Sequence, residues 1–319
     1  MGRFSRIARS VQAFREELQR SHPKTAQQQK PWQRPKLGVA LGGGFARGMS
    51  HIGILKVLEE ENIPIDFVGG TSVGAVIGAG YCSGLSAKEL EELACLVRFK
   101  DFARWTISRF GVCSNDRMQG FLEKIIKPRT FEELRIPLAV SATDFTTGEG
   151  VVFNSGPLID AVRASCAYPG MFLPVRVDGR LLVDGLLGYP VPTKPLRSMG
   201  ADRVIAVHLS AHWVKARGPR HVFEVIGQCF SIAESKMRAG WAAHADVILE
   251  PPVGEFAYDS FARSPEMIEL GANSIRAVLP QIKSWFAEPA TEKANISETK
   301  SRELKPTAAV LNPHPLPAE

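Results

Sequence analysis

The sequence predicts an α/β fold: a three-layer α/β/α sandwich around a largely parallel central sheet. Three observations point there. Short apolar runs with strand character alternate with helical patterns, and the connections are short. Two of the junctions, at residues 42–48 and 70–74, are glycine-rich strand-to-helix turns. At 319 residues, with 45% hydrophobic and 23% charged, the chain can bury a core that needs no covalent staples.

In order, residues 3–20 place Phe4, Ile7, Val11, Phe14 and Leu18 on one helical face, with Arg3, Arg6, Arg9 and Arg20 mostly off it. Residues 21–36 hold three prolines and three consecutive glutamines and read as a linker. The predicted domain is 37–286. Leu37 to Leu41 reads as a buried strand, residues 49–61 as a helix, 65–69 as a second strand and 75–83 as a small-residue helix. Ser86 with Glu89 forms a capping box that opens a helix over 86–98. Residues 99–118 are aromatic and basic and read as a surface helix and loop, with helix again at 117–127. Strands follow at 136–143 and 151–153, joined by a turn at 146–150, then a short helix at 160–164. Asp178-Gly179 is a hairpin turn between strands 173–177 and 180–183. Pro190, Pro192 and Pro195 open a helix. A strand at 203–209, a helix at 220–242, a strand at 246–249 and a helix at 265–286 close the domain. Residues 287–319, with five prolines, read as a disordered tail.

The two glycine-rich turns carry the chemistry. In Gly70-Thr71-Ser72-Val73-Gly74 the serine sits on a sharp strand-to-helix turn, its Oγ projecting above the sheet. The glycines let strand and helix approach closely, and the helix N-terminus places partial positive charge beside the hydroxyl. In Gly42-Gly43-Gly44-Phe45-Ala46-Arg47-Gly48 several N–H groups can converge on one point, as a developing oxyanion requires. A dinucleotide loop is the rival for this turn. It lacks the third glycine at the fingerprint spacing, where Arg47 stands, and no acidic residue ends the second strand.

These stretches, together with Asp184-Gly185, resemble the three signatures of the patatin-like phospholipases, in a bacterial form similar to the neuropathy-target-esterase branch. Residues 50–53, 163–170 and 200–202 fit that branch as well, so the resemblance spans about 37–210. Phe45 and Leu186 stand where Gly or Ala is commoner. The resemblance implies a serine lipid acyl hydrolase with Ser72 as nucleophile and Asp184 as proton acceptor, and a phospholipid or other fatty acyl ester as substrate. Backbone groups of Gly42, Gly43, Gly44 and Phe45 would hold the oxyanion, and Gly70 and Gly74 would shape the elbow. Arg47 would brace the loop or meet a lipid phosphate. No cofactor, metal or nucleic acid is implied. Residues 99–118 gain a second reading, as a cover that greets lipid tails.

Rival readings remain open at this level. A Ser-Asp-His triad would take His208 or His212, and a catalytically idle lipid-binding scaffold would keep the fold alone. Asp144, also at a strand end, competes with Asp184. His51 reads as a capping or packing histidine. The five cysteines are scattered, which suits a reducing compartment, and only Cys166 lies near the predicted site. Net charge is +6, but residues 1–36 alone carry nine Lys/Arg against two Glu, so the rest sums to −1. With no transmembrane-length apolar run and no signal-peptide core, the expectation is a cytoplasmic protein whose basic arm either contacts a membrane periphery or packs its apolar face on the protein's own body or on a second copy, a spacing that suits a coiled-coil seam equally well. Oligomeric state is not legible.

Overall fold

Side chains that alternate between two buried faces along two neighbouring strands set the layers. In the computed structural model, which describes residues 32–108, 111–211, 218–219 and 222–288, strand β1 (Leu37–Leu41) is buried at every position. After it come α1 (Met49–Glu60), β2 (Phe67–Thr71), α2 (Val73–Cys82), α3 (Ala87–Leu96), the single turn α4 (Phe99–Phe102), β3 (Arg104–Ser108), β4 (Gly111–Ser114) and α5 (Asp116–Ile125). The middle holds β5 (Leu138–Asp144), β6 (Gly150–Phe153), α6 (Leu158–Ser165), β7 (Gly170–Phe172), β8 (Val175–Val177) and β9 (Arg180–Asp184). The last part holds α7 (Thr193–Ser198), β10 (Arg203–Val207), α8 (Val222–Ala242), β11 (Val247–Leu249), α9 (Ser264–Arg276) and α10 (Leu279–Ser284). Residues Arg34–Phe286 form one compact unit.

Strands β11, β10, β1, β2 and β5 run parallel in that order, and β6, β9 and β8 add antiparallel pairings at the β5 end. Successive side chains of a strand point to opposite faces. Leu37, Val39 and Leu41 of β1, with Ile205 and Val207 of β10, join the large core under α1, α2, α3 and α9. Ala40, Val204 and Ala206 face the other way, onto Leu196 of α7 and Trp241 of α8. These two apolar faces make the α/β/α sandwich the sequence predicts. Truncating a fully buried leucine such as Leu55 to alanine would cost about 2–5 kcal/mol.

Three elements depart from the sequence reading. The expected helix over 265–286 is two helices, because Pro280 lacks the N–H needed to continue the ladder and restricts the residue before it. The expected strand 173–177 is shortened to β8 after Pro174, and a separate strand, β7, precedes it at Gly170–Phe172. Among the described residues of 99–115 only one helical turn forms, and β3 and β4 pair with β7 in a separate three-stranded sheet. Phe99 and Phe102 pack on Phe172, Tyr258 and Phe261, which fits the packed account of this stretch. No helix among the described residues is long and apolar enough to cross a membrane. The N-terminal arm through residue 31 and the tail from 289 lie outside the described residues.

Candidate active site

Strand β5 explains why residues 112 positions apart in sequence meet. Ser141 of β5 is paired on one side with Thr71 of β2 and on the other with Val152 of β6. The next residue, Ala142, pairs with Val151 of β6 and with Asp184 of β9. Strands β2 and β9 therefore share one edge of β5 and approach each other end to end. Ser72 follows the last residue of β2, and Asp184 is the last residue of β9.

Ser72 has φ 55° and ψ −124°, a left-handed conformation that a non-glycine residue holds only under constraint. Its N–H donates to Oγ of the fully buried Ser165 at 2.8 Å, which fixes the turn from outside. A Cβ on Gly74 would collide with the Leu41 carbonyl, and one on Gly70 would sit 2.6 Å from the Ala75 nitrogen. Only glycines let α2 start this close to the sheet. Ser165 is a positioning residue that sequence reasoning missed, since a hydroxyl-to-backbone contact across 93 residues leaves no local pattern.

Asp184 is fully buried. Its Oδ1 accepts the Leu186 N–H at 3.0 Å, while Oδ2 has no hydrogen-bond partner. Burial pushes the carboxyl from the ordinary 3.8 up to about 7; the neighbouring Ser72 hydroxyl and the Leu186 N–H pull it down, and the charge of Glu234 pushes it up again. The serine is thus close enough to act on the carboxyl, without a hydrogen bond closed on Oδ2. Loose contacts of this kind tighten when substrate binds. The Cys166 thiol lies beside Ser72; burial first, then the charge of Asp184, holds its pKa well above the ordinary thiol value, against the pull of the Ser72 hydroxyl.

The glycine loop lies beside the serine, for a Cβ on Gly43 would stand 3.4 Å from Ser72 Cβ. One expected member of the oxyanion set drops out: the Gly42 N–H is taken by the Val207 carbonyl at 3.0 Å and extends the sheet. Gly43 makes only a long 3.4 Å bond to the Pro190 carbonyl. Phe45 adopts φ 53°, and its ring packs edge-on against Tyr168 and Tyr258. Arg47 is buried and braces the loop from below, donating Nε to the Gly44 carbonyl and Nη1 to the Phe256 carbonyl. Burial lowers its pKa to about 10, so it stays charged at neutral pH. His51 is buried, and its Nε2 lies 2.9 Å from the Gly42 carbonyl, so that nitrogen carries the proton. Burial holds its pKa near 4, and it serves as a neutral brace.

Two cavities meet at Ser72 and Phe45. One is an apolar cleft with about 850 Å³ of empty space, part of it open to solvent, walled by side chains of α1, α2, α3 and α5 such as Ile52, Val76, Leu90 and Ile125. The other is a polar pocket holding Arg47, Ser72, Tyr168, Asp184, Ser231 and Glu234. Glu234, on α8, is a second contributor that sequence reasoning missed. The histidine of the triad reading has both ring nitrogens engaged by other carboxylates: His208 Nε2 lies 3.3 Å from Glu234 and Nδ1 2.9 Å from Glu250. Burial opposes its charge, but the two carboxylates prevail and raise its pKa. His212 lies outside the described residues. Asp144 is occupied as a turn cap, its Oδ1 accepting the N–H groups of Thr146 and Thr147. Among the described residues no group of three or more His, Cys, Asp and Glu side chains is arranged to hold a metal ion.

Residues 39–197 match the model of the family described as patatin-like phospholipase. An NTE family protein of Mycobacterium tuberculosis, described as uncharacterized, is 36% identical over 191 residues, covering 55% of this chain and 49% of the relative. Human patatin-like phospholipase domain-containing protein 6 is 36% identical over 186 residues, 55% of this chain and 13% of that one. Lysophospholipase NTE1 of Pyricularia oryzae is 25% identical over 313 residues, 86% of this chain and 20% of that one. This chain thus spans about half the length of the mycobacterial relative it matches, and less of the others. The crystal structure of VipD from Legionella pneumophila aligns with a TM-score of 0.46 at 14% identity, covering 78% of this chain and 67% of that one. By its family match and its relatives, this chain belongs to the patatin-like phospholipase family and is similar to the family's NTE proteins.

Proposed function

We propose that the protein hydrolyses fatty acyl esters of phospholipid or lysophospholipid type by a Ser72–Asp184 dyad. The observation that carries this reading is the buried carboxyl of Asp184, with a pKa of about 7, beside a serine hydroxyl on a strained elbow where an apolar cleft meets a polar pocket. An exposed aspartate, with pKa ~3.9, is a poor base near neutrality. Burial makes this one basic enough to matter. Ser72 Oγ attacks the ester carbonyl carbon as its proton passes to Asp184. The oxyanion is held by N–H groups of Gly43 and Gly44, with Phe45 as the third candidate. One such donor is worth about 3–4 kcal/mol in enzymes where it has been removed. Collapse breaks the ester C–O bond, and the leaving alkoxide takes the proton back from Asp184. Water then attacks the acyl-serine, Asp184 accepts its proton, and collapse returns that proton to Ser72 as the fatty acid leaves. The acyl chain lies in the apolar cleft and the alcohol in the polar pocket.

The family match and the NTE relatives support the substrate class. The occupied nitrogens of His208 favour the dyad over a triad. The basic arm at residues 1–36 would add peripheral contact with a membrane. The test is labelling with a fluorophosphonate alongside fatty-acid release from a lipid panel. Both must depend on Ser72. Release by folded Ser72→Ala at the wild-type rate would refute the nucleophile, and labelling of Ser72 without release from any lipid would leave the scaffold reading.

A further inference from the structure

Outside the cleft, the turn from α3 into α4 and the outer face of α5 form a groove with an apolar floor and a basic rim. Leu93, Leu96, Val97 and Phe121 make the floor, and Lys100, Arg117 and Lys124 stand around it. Leu93, Val97 and Phe121 also wall the acyl cleft, so the groove and the cleft are two sides of one apolar partition. Leu96 is 74% exposed, more than any other large apolar side chain among the described residues. The three cations have no carboxylate partner among the described residues. Asp116 nearby is engaged by Arg104 and Arg163, and the groove's own Asp101 accepts the Arg98 backbone N–H at 2.7 Å. A single exposed leucine is ordinary. An exposed leucine ringed by cations with no carboxylate partner, one of which, Arg117, donates to the Lys100 carbonyl, on the outer wall of a lipid cleft, is not.

We propose that this groove docks the enzyme on an anionic lipid surface, with Leu96 entering the headgroup layer and Lys100, Arg117 and Lys124 meeting lipid phosphates. The inference rests on reading the adjoining cleft as an acyl site. The charge pattern selects the occupant: an apolar protein helix would leave the cations unanswered, whereas anionic lipid answers both features. Docking here would bring the cleft wall against the bilayer and shorten the path of an acyl chain into it.

The full-length chain, carrying Cys95→Ser and Cys229→Ser to remove its exposed thiols, is labelled with an environment-sensitive fluorophore through Leu96→Cys. Phosphatidylglycerol vesicles should shift its emission to the blue, and pure phosphatidylcholine vesicles or inorganic phosphate should not. In the otherwise unaltered protein, Lys100→Gln/Lys124→Gln should lower vesicle partitioning by about 25-fold, at roughly fivefold per charge near the surface. Turnover of a soluble short-chain ester should not change. Sedimentation with the vesicles while the label stays in water would overturn the proposal, as would equal partitioning of the double variant or no vesicle binding at all. Loss of ester turnover in every form would refute the hydrolase reading, yet the fluorescence and partitioning would still decide the docking.

Discussion

The two cavities that share Ser72 differ in how their walls are made. The apolar cleft is walled mainly by side chains projecting from helices, packed against one another and continuous with the main core. The polar pocket is walled by the glycine loop, the ends of β2 and β9, and one face of α8. A helix face offers a broad surface with no directional demand, which suits a flexible hydrocarbon. Strand ends and tight loops hold backbone groups and short side chains within fractions of an ångström, which suits groups that must hand over a proton. The proposed division of the site into tail and head would therefore follow a division in secondary structure.

The comparison can be broken most directly at the shared boundary. Asp184→Asn keeps the shape of the pocket and removes the proposed base. Together with Ser72→Ala it should lower kcat/KM by about 10⁴-fold or more, while His208→Gln should stay within a few-fold of wild type. A matching collapse of the folded His208 variant would return the triad. A second measurement is the pH profile. Asp184 must be ionised to accept the proton, and its pKa is raised to about 7, so kcat/KM for a soluble ester should fall about tenfold per pH unit below 7 and level off above it. A plateau persisting down to pH 5 would contradict the buried base.

Ser165→Ala removes the acceptor that holds the Ser72 N–H. We expect kcat to fall about tenfold with KM little changed, and Ser165→Thr to restore most of it. Loss of stability with kcat intact would make Ser165 merely structural. The smallest effects should separate the two walls. Val76→Phe, one turn beyond Ser72 in the cleft, should shift the preference between long and short acyl chains by about tenfold without changing the preference among alcohols. Phe230→Ala in the polar pocket should do the reverse, by a few-fold. Identical responses from the two variants would mean that the cavities are one site.

What could be read from the sequence follows the range of the forces involved. Ser72, its flanking glycines and the glycine loop are local turn chemistry, and each announces itself within a few residues. Asp184 was legible through the family pattern and through its place after a strand. Other contributors were not: Ser165 and Glu234 reach the site only once the strands are in register, and although His51 could be read as a packing histidine, its Gly42 partner could not. The Gly42 N–H is a case of the same limit, since only the pairing of β1 with β10 shows that it is already spent. The division of the 265–286 helix was within reach, because Pro280 marked it. The β3–β4–β7 sheet was not, because strands of three to five residues with mixed side chains carry too little periodicity.

The backbone of Ser72 and the lone buried oxygen of Asp184 have a consequence for melting temperature. A residue held in the left-handed region costs about 1–3 kcal/mol, which glycine would largely avoid. For Asp184 the folded pKa of about 7 lies above the ordinary 3.8 of the unfolded chain. Folding therefore takes up a proton between those values, and stability is lost as pH rises from about 4 to about 7. Ser72→Gly and Asp184→Asn should each give an inactive protein that melts above the wild type, by about 2 °C or more for Ser72→Gly. The gain for Asp184→Asn should be larger at pH 8 than at pH 5. On the proposed mechanism, the same two features that serve turnover leave the chain less heat-resistant than its own fold allows.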